Sequence, residues 1–523
     1  MFAFSLALGF ACGDSVRAQV VPSDGLVVGT MAADRARLLN LVGRDSARTP
    51  VTPAGWKTRF VGGDLRAIAN SDIPSSLNDA SMWAGRGFNT SITPAGQLTY
   101  RERSLVVRAL LAPTVTYSEN VAFQFARGRD TTRSAFSSPW HTGSASADLP
   151  LRFGDGSIRT FELGQSTVEV VTSGLTGGAT TRNEWWGPGI RNTLVMSNAA
   201  PGIPRLYIGP AAAVRTAAGL VDARLVIGTL TESRFFDTLS ANDYRSFNAL
   251  LVTLRPLGDT NLTLGLSRAV YAPVRSASAV FGHTFDVLTK WEAIAPPAPS
   301  DSDPRQTSDQ ITSLFARWAF PANGFEVYGE IARMELPRSL REWFSAPQHT
   351  QGFIVGAQLV RPLRSHSTYL RIQTEFLDVE QSNVFDNRPP PDFYTGRVAV
   401  QGYTQRGQLI GAATGPGSSS QWLAADYFTP LAQIGVFLGR TRTENDALYR
   451  LPDPRLTRHD VTIVSGLRGG YRWSVADLEG ELTVGRRLNY LFQNDTFSPG
   501  EEPLRAIDVQ NVTFSLRIVP KPR

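Results

Sequence analysis

Apolar and polar residues alternate in short runs along most of the chain after about residue 80, and this alternation restricts the folds that it can adopt. In the run 369–376, Leu370, Ile372 and Phe376 share one face and polar side chains occupy the other. A period of two predicts strands with one apolar face. The same pattern recurs at 261–268, 325–331, 478–484 and 512–518. No apolar run approaches the ~18 residues of a spanning helix, so this chain could enter a membrane only as a closed barrel.

The connections between the predicted strands alternate between short and long. Residues 256–260 and 321–324 form short connections, whereas 271–308 and 379–396 form long ones. Bacterial outer-membrane barrels have short periplasmic turns and longer outer loops. We count about thirteen strands after residue 248 and room for about five in 82–228, which predicts an all-β transmembrane antiparallel barrel of about 18 strands. The short connection 415–420 fits poorly on the outer side.

The N-terminus resembles an export signal. The first twelve residues are almost wholly apolar, and the small residues Val16 and Ala18 precede Gln19. This pattern predicts a signal peptide at residues 1–18. The only cysteine, Cys12, lies inside it. The mature chain is therefore expected to contain no disulfide, zinc-thiolate site or cysteine nucleophile.

The remaining chain is predicted to form two parts. Residues 19–77 are expected to be an N-terminal periplasmic segment with a short helix at 31–43, where apolar residues cluster before Gly43. Residues 78–519 are expected to form the outer-membrane β-barrel. The net charge of +6 is mild and the basic residues form no long runs, which argues against a nucleic-acid partner.

Charged residues on the predicted inward faces imply a polar lumen, and ion-pair ladders are the favoured interpretation. Glu326 and Glu330 would lie ~13 Å apart, too far for a glycosidase pair, whereas Glu479 and Glu481, ~7 Å apart, could serve an inverting enzyme. The dispersed histidines predict no metal site, and no motif predicts a cofactor. The inward candidates are Arg108, Glu326, Glu330, Arg371, Glu375, Glu479 and Glu481.

Four segments in order along the chain resemble the Wzi-type capsule assembly family. They are NDASMWAGRG at 78–87, NEWWGPG at 183–189 followed by SNAAP at 197–201, residues 309–330, and GYTQRGQ with GPGS between 402 and 418. The resemblance implies an outer-membrane barrel of about eighteen strands with a small N-terminal helical element on the periplasmic side. It also implies that the protein holds capsular polysaccharide or other exopolysaccharide at the cell surface by a lectin-like interaction.

Two of these motifs supply the candidate polysaccharide-binding residues Trp185, Trp186, Tyr403, Gln405 and Arg406. An indole can stack on the apolar face of a sugar ring. The alternative for the two tryptophans is an interfacial belt or a plug that holds a turn. The Arg406 guanidinium could bind a uronate or phosphate bidentately, or it could fix a tight turn. No catalytic residue is predicted.

We therefore expect a non-enzymatic outer-membrane barrel that binds or organises surface polysaccharide. An outer-membrane porin or substrate channel is the alternative, because both functions need a polar lumen. A barrel hydrolase is a third class, and it predicts sugar release from purified capsule. The expected partners are capsular polysaccharide or exopolysaccharide and outer-membrane lipid or lipopolysaccharide, with the protein acting as a monomer.

Overall fold

Eighteen antiparallel strands form one closed barrel, which confirms the predicted fold class. The computed structural model describes residues 29–44, 54–128, 132–290, 307–337, 339–363, 367–381, 391–450, 458–492 and 507–521. The strands are β1 Gly55–Asn70, β2 Gly87–Glu102, β3 Leu105–Leu111 with Thr114–Ser118, β4 Ile158–Glu162 with Thr167–Val171, β5 Leu175–Thr180, β6 Arg205–Pro210 with Val214–Arg215, β7 Gly219–Thr231, β8 Tyr244–Pro256, β9 Leu262–Val274, β10 Asp309–Phe320, β11 Phe325–Arg333, β12 Gln351–Pro362, β13 Tyr369–Asp378, β14 Ser419–Phe428, β15 Ala432–Thr443, β16 Asp460–Arg472, β17 Ala476–Leu488 and β18 Val509–Pro520.

The first and last strands close the sheet. β1 pairs with β18 in antiparallel register from Leu65 opposite Ile518 to Asn70 opposite Thr513. Closure satisfies the backbone groups that an edge strand would expose, and those groups could find no water in a lipid environment. Among the described residues, no helix is long and apolar enough to cross a membrane.

The two faces of the strands differ as the alternation predicted. On β13, Leu370, Ile372 and Phe376 are exposed on the outside of the barrel, whereas Arg371 and Glu375 are buried inside it. An apolar outer face and a polar inner face are typical of barrels that cross a lipid bilayer.

The start of the barrel differs from our expectation. The predicted boundary at residue 78 is wrong, because Gly55–Asn70 already forms β1 and pairs with both β2 and β18. The register shifts between Phe60 and Gly62 at a bulge. A bulge adds one residue to a strand and reverses which residues face outward, so the period of two is interrupted in this segment and the strand escaped detection.

The strand count is distributed differently from our prediction, although the total agrees. Within the described residues, eleven strands follow residue 243 and seven precede it, whereas we predicted thirteen and five. Between β13 and β14 the chain forms one long connection in which Thr404–Gln405 pairs with Gln408–Leu409 in a small separate sheet. We call this two-stranded unit the luminal hairpin. Residues 415–420 therefore end a long outer connection, which removes the poor fit noted above.

The short and long connections lie at opposite ends of the barrel. β1 begins and β18 ends at the short-turn end, which corresponds to the periplasmic side in bacterial barrels. The helices are α1 Met31–Leu41, α2 Asp286–Thr289, α3 Leu340–Ser345 and α4 Asn445–Arg450, with 3-10 turns at Gly143–Ala145, Ala277–His283, Pro321–Asn323 and Tyr490–Phe492. The predicted signal peptide at residues 1–18 lies outside the described residues.

The predicted N-terminal helix is confirmed as α1, and it packs inside the short-turn end of the barrel. The Thr30 side chain caps its N-terminus by accepting a hydrogen bond from the Ala33 N–H. Leu38 and Leu41 are buried against wall residues. The wall residues of this cluster are Ala319, Val360, Tyr369 and Phe428, from β10, β12, β13 and β14. α1 is therefore a stopper within the barrel and not a separate periplasmic segment.

Ion pairs hold α1 in the lumen. Arg371 donates to Asp34 of α1 at 2.8 Å and, through Nε, to Asp426 of β14 at 3.1 Å. Arg37 forms an ion pair with Glu326 at 2.6 Å. These carboxylates and guanidiniums inside the barrel are each paired, as charges withdrawn from water must be, and they bear out the predicted luminal ladders.

Replacing Arg371 with alanine is expected to destabilise the barrel. The change leaves Asp34 without this partner inside the lumen, and losing one member of a buried ion pair costs about 3–5 kcal/mol. Urea unfolding of the refolded barrel in detergent micelles would measure the free energy of unfolding. Arg361→Ala is the matched control, because this exposed arginine bonds to the Asn323 carbonyl at a turn, and we expect a change within about 0.5 kcal/mol. Equal stability of Arg371→Ala and wild type would contradict the prediction.

Candidate functional site

The connection between β5 and β6, residues 181–204, folds into the barrel. It contains Trp185 and Trp186, and both are buried. The Trp186 indole N–H donates to Glu184 Oε2 at 2.8 Å, and the Trp185 indole N–H donates to the Gly189 carbonyl at 3.1 Å. Trp186 packs in the largest apolar cluster of the barrel, together with inward residues of the wall. The polar atoms of both rings are therefore used within the protein.

Two wall carboxylates bind the backbone of this segment. Glu375 accepts hydrogen bonds from the N–H groups of Ile190 at 2.6 Å and Arg191 at 3.1 Å. Glu330 accepts one from the Leu194 N–H at 3.2 Å. A buried carboxylate needs such donors to offset its loss of hydration, and buried N–H groups need acceptors. The segment is thus fixed to β11 and β13.

The segment 391–418 lies beside the first one. The Tyr403 hydroxyl donates to the Val195 carbonyl at 2.8 Å, and the Tyr403 ring lies 5.3 Å from that of Tyr271. The Gln405 side-chain oxygen accepts from the Thr231 N–H at 2.8 Å. Both Tyr403 and Gln405 are buried. We call residues 181–204 and 391–418 together the luminal plug.

Charge pairing inside the plug is strong at Glu184. Its carboxylate lies 3.0 Å from Arg205 and 2.7 Å from Arg224. Burial alone would raise the pKa of Glu184, but the two guanidiniums, Arg224 foremost, outweigh burial and lower that pKa to about 2. Glu184 is therefore ionised at neutral pH, and its contribution to stability is lost as pH falls from the ordinary glutamate pKa toward the lowered one.

Arg406 occupies a different environment from the other predicted residues. It lies at the turn of the luminal hairpin with a φ of 50°. Its Nη1 donates to Glu162 of β4 at 2.6 Å, and its side chain is 45% exposed. Its backbone N–H donates to the Thr231 carbonyl at 2.9 Å. Arg406 thus ties the plug to the wall while part of its guanidinium stays accessible.

Comparison with protein families identifies the chain. Residues 63–477, well over half of the sequence, match the family described as "Capsule assembly protein Wzi". This chain belongs to the Wzi capsule assembly family. The predicted resemblance is therefore confirmed.

A solved structure of low sequence identity shares the fold of this Wzi-family barrel. Wzi of Escherichia coli, described as an outer-membrane protein involved in group 1 capsule assembly and as a carbohydrate-binding β-barrel, is 11% identical; the match covers 87% of this chain and 84% of that one, with a TM-score of 0.53. OccAB3 of Acinetobacter baumannii is 9% identical, over 89% and 100% of the two chains, with a TM-score of 0.43. No curated protein sequence matches this chain. The family and the barrel fold place this protein in the outer membrane.

The Wzi-family barrel brings the five predicted site residues into one plug but does not offer them together to a ligand. Trp185, Trp186, Tyr403 and Gln405 are enclosed, so a polysaccharide cannot reach them while the plug stays in place. Their contacts favour the alternative interpretation, a plug that holds turns. Arg406 is the predicted residue that keeps an accessible cationic group.

Sequence reasoning missed the exposed aromatic residues of the outer loops. In α3, between β11 and β12, Leu340, Trp343 and Phe344 are all exposed, and Phe344 is 78% exposed. Positions i, i+3 and i+4 share one face of a helix, so these side chains form one apolar face. We call them the α3 face. The Arg333 guanidinium lies 4.9 Å from the Trp343 ring centre. The signal was present in the sequence as LREWFS, in the connection between β11 and β12.

No cluster of three or more histidine, cysteine, aspartate or glutamate side chains is arranged to hold a metal in the part of the chain that the structure describes. The Glu479 carboxylate accepts from the Met31 N–H at 2.8 Å. Glu481 accepts from the Thr483 hydroxyl at 3.3 Å. These two carboxylates therefore take part in structural contacts of the wall and α1.

Proposed function

We propose that this protein retains capsular polysaccharide or another exopolysaccharide at the cell surface. Membership of the Wzi capsule assembly family over residues 63–477 carries the proposal. The related Escherichia coli barrel is described as carbohydrate-binding, and we extend that description to this chain. We further propose that the protein acts as a monomer, without catalysis and in contact with outer-membrane lipid or lipopolysaccharide.

The occupied lumen supports retention over transport. The luminal plug packs against inward-facing residues of the wall, and α1 packs into the short-turn end. A diffusion porin needs a continuous aqueous path, such as the wide lumen of general porins. A polysaccharide would therefore contact the outer loops, where the α3 face offers exposed aromatic rings.

The proposal is tested by removing the protein from cells that make a surface polysaccharide. We expect most of the polysaccharide to appear in the medium, because its anchor is gone, and plasmid-borne protein to restore retention. Cell-bound and shed polysaccharide are measured separately after gentle centrifugation. Unchanged retention in the deletion strain would overturn the function. Release of short sugars from purified capsule by the purified barrel would contradict the absence of catalysis.

A further inference from the structure

Among the residues that the structure describes, strand pairing is missing from the barrel wall between β4 and β7 near the outer end. β5 ends at Thr180 and β6 begins at Arg205. On this side, β4 pairs with β5 only along Thr167–Val171, and the last β7 residue paired with β6 is Gly228. Within the described chain, the outer part of β4 and the last residues of β7 thus face each other across a gap with no strand between them.

The luminal hairpin closes this gap from inside. Gln405 and Arg406 bond to both backbone groups of Thr231 on the β7 edge. Arg406 also bonds to Glu162 on the β4 edge at 2.6 Å. The hairpin therefore replaces the missing strand contacts and places the Arg406 guanidinium in the thickness of the wall.

A cavity of about 260 Å³ lies at this gap. Its lining includes Phe161, Leu163 and Pro204 as apolar groups and Glu162 and Arg406 as charged groups. Phe161 is 74% exposed, and Leu163 is also exposed, on the outward face of β4. The cavity thus opens sideways, toward the surface that faces lipid, and has an ion pair at its base.

The surroundings define the chemistry of an occupant. The outward face on both sides of the cavity is apolar, with Val115 on β3 and Leu206 and Ile208 on β6 exposed. Arg159, which is two residues closer to the outer rim than Phe161, is also exposed. Its guanidinium carbon lies 5.8 Å from the centre of the Tyr117 ring. The lining itself pairs the cationic Arg406 with the anionic Glu162, and Arg159 adds a positive charge on the exposed outward face of the same strand. An occupant is therefore expected to combine an apolar chain with an anionic group.

We propose that this lateral pocket binds one anionic lipid of the surrounding membrane leaflet, with an acyl chain on Phe161 and Leu163 and its phosphate on Arg406. The volume of this cavity is below the ~300 Å³ of typical ligand pockets. It is therefore large enough for the end of one acyl chain but not for a whole lipid. Every membrane lipid carries acyl chains, so the chain contact does not distinguish one lipid from another. Selection therefore comes from the guanidinium, which binds phosphate oxygens bidentately.

Lipid retention by the purified full-length barrel tests the proposal. The variant Arg406→Gln with Glu162→Gln removes the ion pair without leaving a lone charge. The protein is extracted in a phosphate-free detergent and incubated with vesicles of phosphatidylglycerol or of phosphatidylcholine. Native mass spectrometry then measures the mass of the intact protein together with any lipid that it has bound. We expect wild type to retain one phosphatidylglycerol molecule, and the lipid-bound fraction of the double variant to be at least about tenfold smaller. The control Phe376→Ala, which changes a lipid-facing residue of β13, should retain as much lipid as wild type.

Further arms separate the sources of the signal. Phe161→Ala keeps the ion pair and tests the chain contact if the double variant fails to fold; we expect weaker retention here too. Inorganic phosphate at millimolar concentration should not displace the lipid, because the chain contributes. Equal retention by wild type and Phe161→Ala, or equal retention of both lipids by wild type, would overturn the proposal. Retention of polysaccharide on cells is expected to persist in Phe161→Ala, which keeps Arg406, so failure here is distinguishable from failure of the proposed function.

Discussion

Replacing Glu330 and Glu375 together with alanine is expected to release the luminal plug and raise ion conductance through the barrel. In the wild-type protein these two carboxylates bind the N–H groups of Ile190, Arg191 and Leu194. The double variant leaves these donors without their acceptors in a poorly hydrated interior. Water entering the lumen would satisfy them again, and the plug would then be free to leave its position.

The energetic cost is large enough to change the state of the plug. Each buried donor left unpaired costs about 1–3 kcal/mol, so three donors represent a loss on the order of 5 kcal/mol. A change of that size shifts the ratio of open to closed forms by about 10³–10⁴-fold. We therefore expect wild type to conduct weakly and the double variant to show large, noisy openings.

Planar bilayer recording measures this effect on single barrels. Glu169→Ala is the matched control, because this luminal carboxylate bonds to Arg108 and Tyr207 on the wall and not to the plug. Its conductance should equal that of wild type. A steady, porin-like conductance in wild type itself would contradict the plugged lumen and would favour the channel function that the sequence left open.

The wall was largely predictable from sequence because a barrel strand is specified locally. On β11 and β13 each outward apolar residue and each inward charge could be assigned from the period of two. β1 escaped because its bulge at Gly62 reverses the phase. A Cβ at Gly62 would lie 2.3 Å from the Pro520 carbonyl oxygen, so this glycine is required where β1 and β18 approach each other, which no local pattern reveals.

The plug was not predictable in the same way. Residues 181–204 and 391–418 have no helical or strand period, and a long connection can extend outward or fold into the lumen. Which of these two conformations forms depends on the contacts of Trp186 and Tyr403. Their partners lie on strands that are distant in sequence and, for Tyr403, in the other segment of the plug. The apolar run Leu194–Val195–Met196 was a usable signal, because a solvated outer loop has no need of it. Without long-range contacts, aromatic motifs that pack a plug look the same as aromatic motifs that bind sugar.

The second large effect is expected at the α3 face, through the double variant Trp343→Ala with Phe344→Ala. These exposed rings can stack on sugar rings in the outer loops, whereas the tryptophans of the plug are enclosed. With about 1 kcal/mol for each aromatic contact, the loss of two corresponds to a ~30-fold weaker affinity for polysaccharide. On cells, the variant should shed polysaccharide almost as the deletion strain does.

Trp473→Ala provides a matched control for this experiment. Trp473 is 55% exposed, close to the 45% of Trp343, but it lies in the short turn between β16 and β17 at the opposite end of the barrel. It should leave both binding and retention unchanged. Binding of purified polysaccharide to the reconstituted barrel is compared only after both variants have shown the wild-type unfolding midpoint. Weaker binding then reports a lost contact and not a misfolded barrel. If the α3 variant retains polysaccharide while the deletion strain sheds it, the anchoring function stands and the contact lies on another surface, with Arg406 the first residue to test.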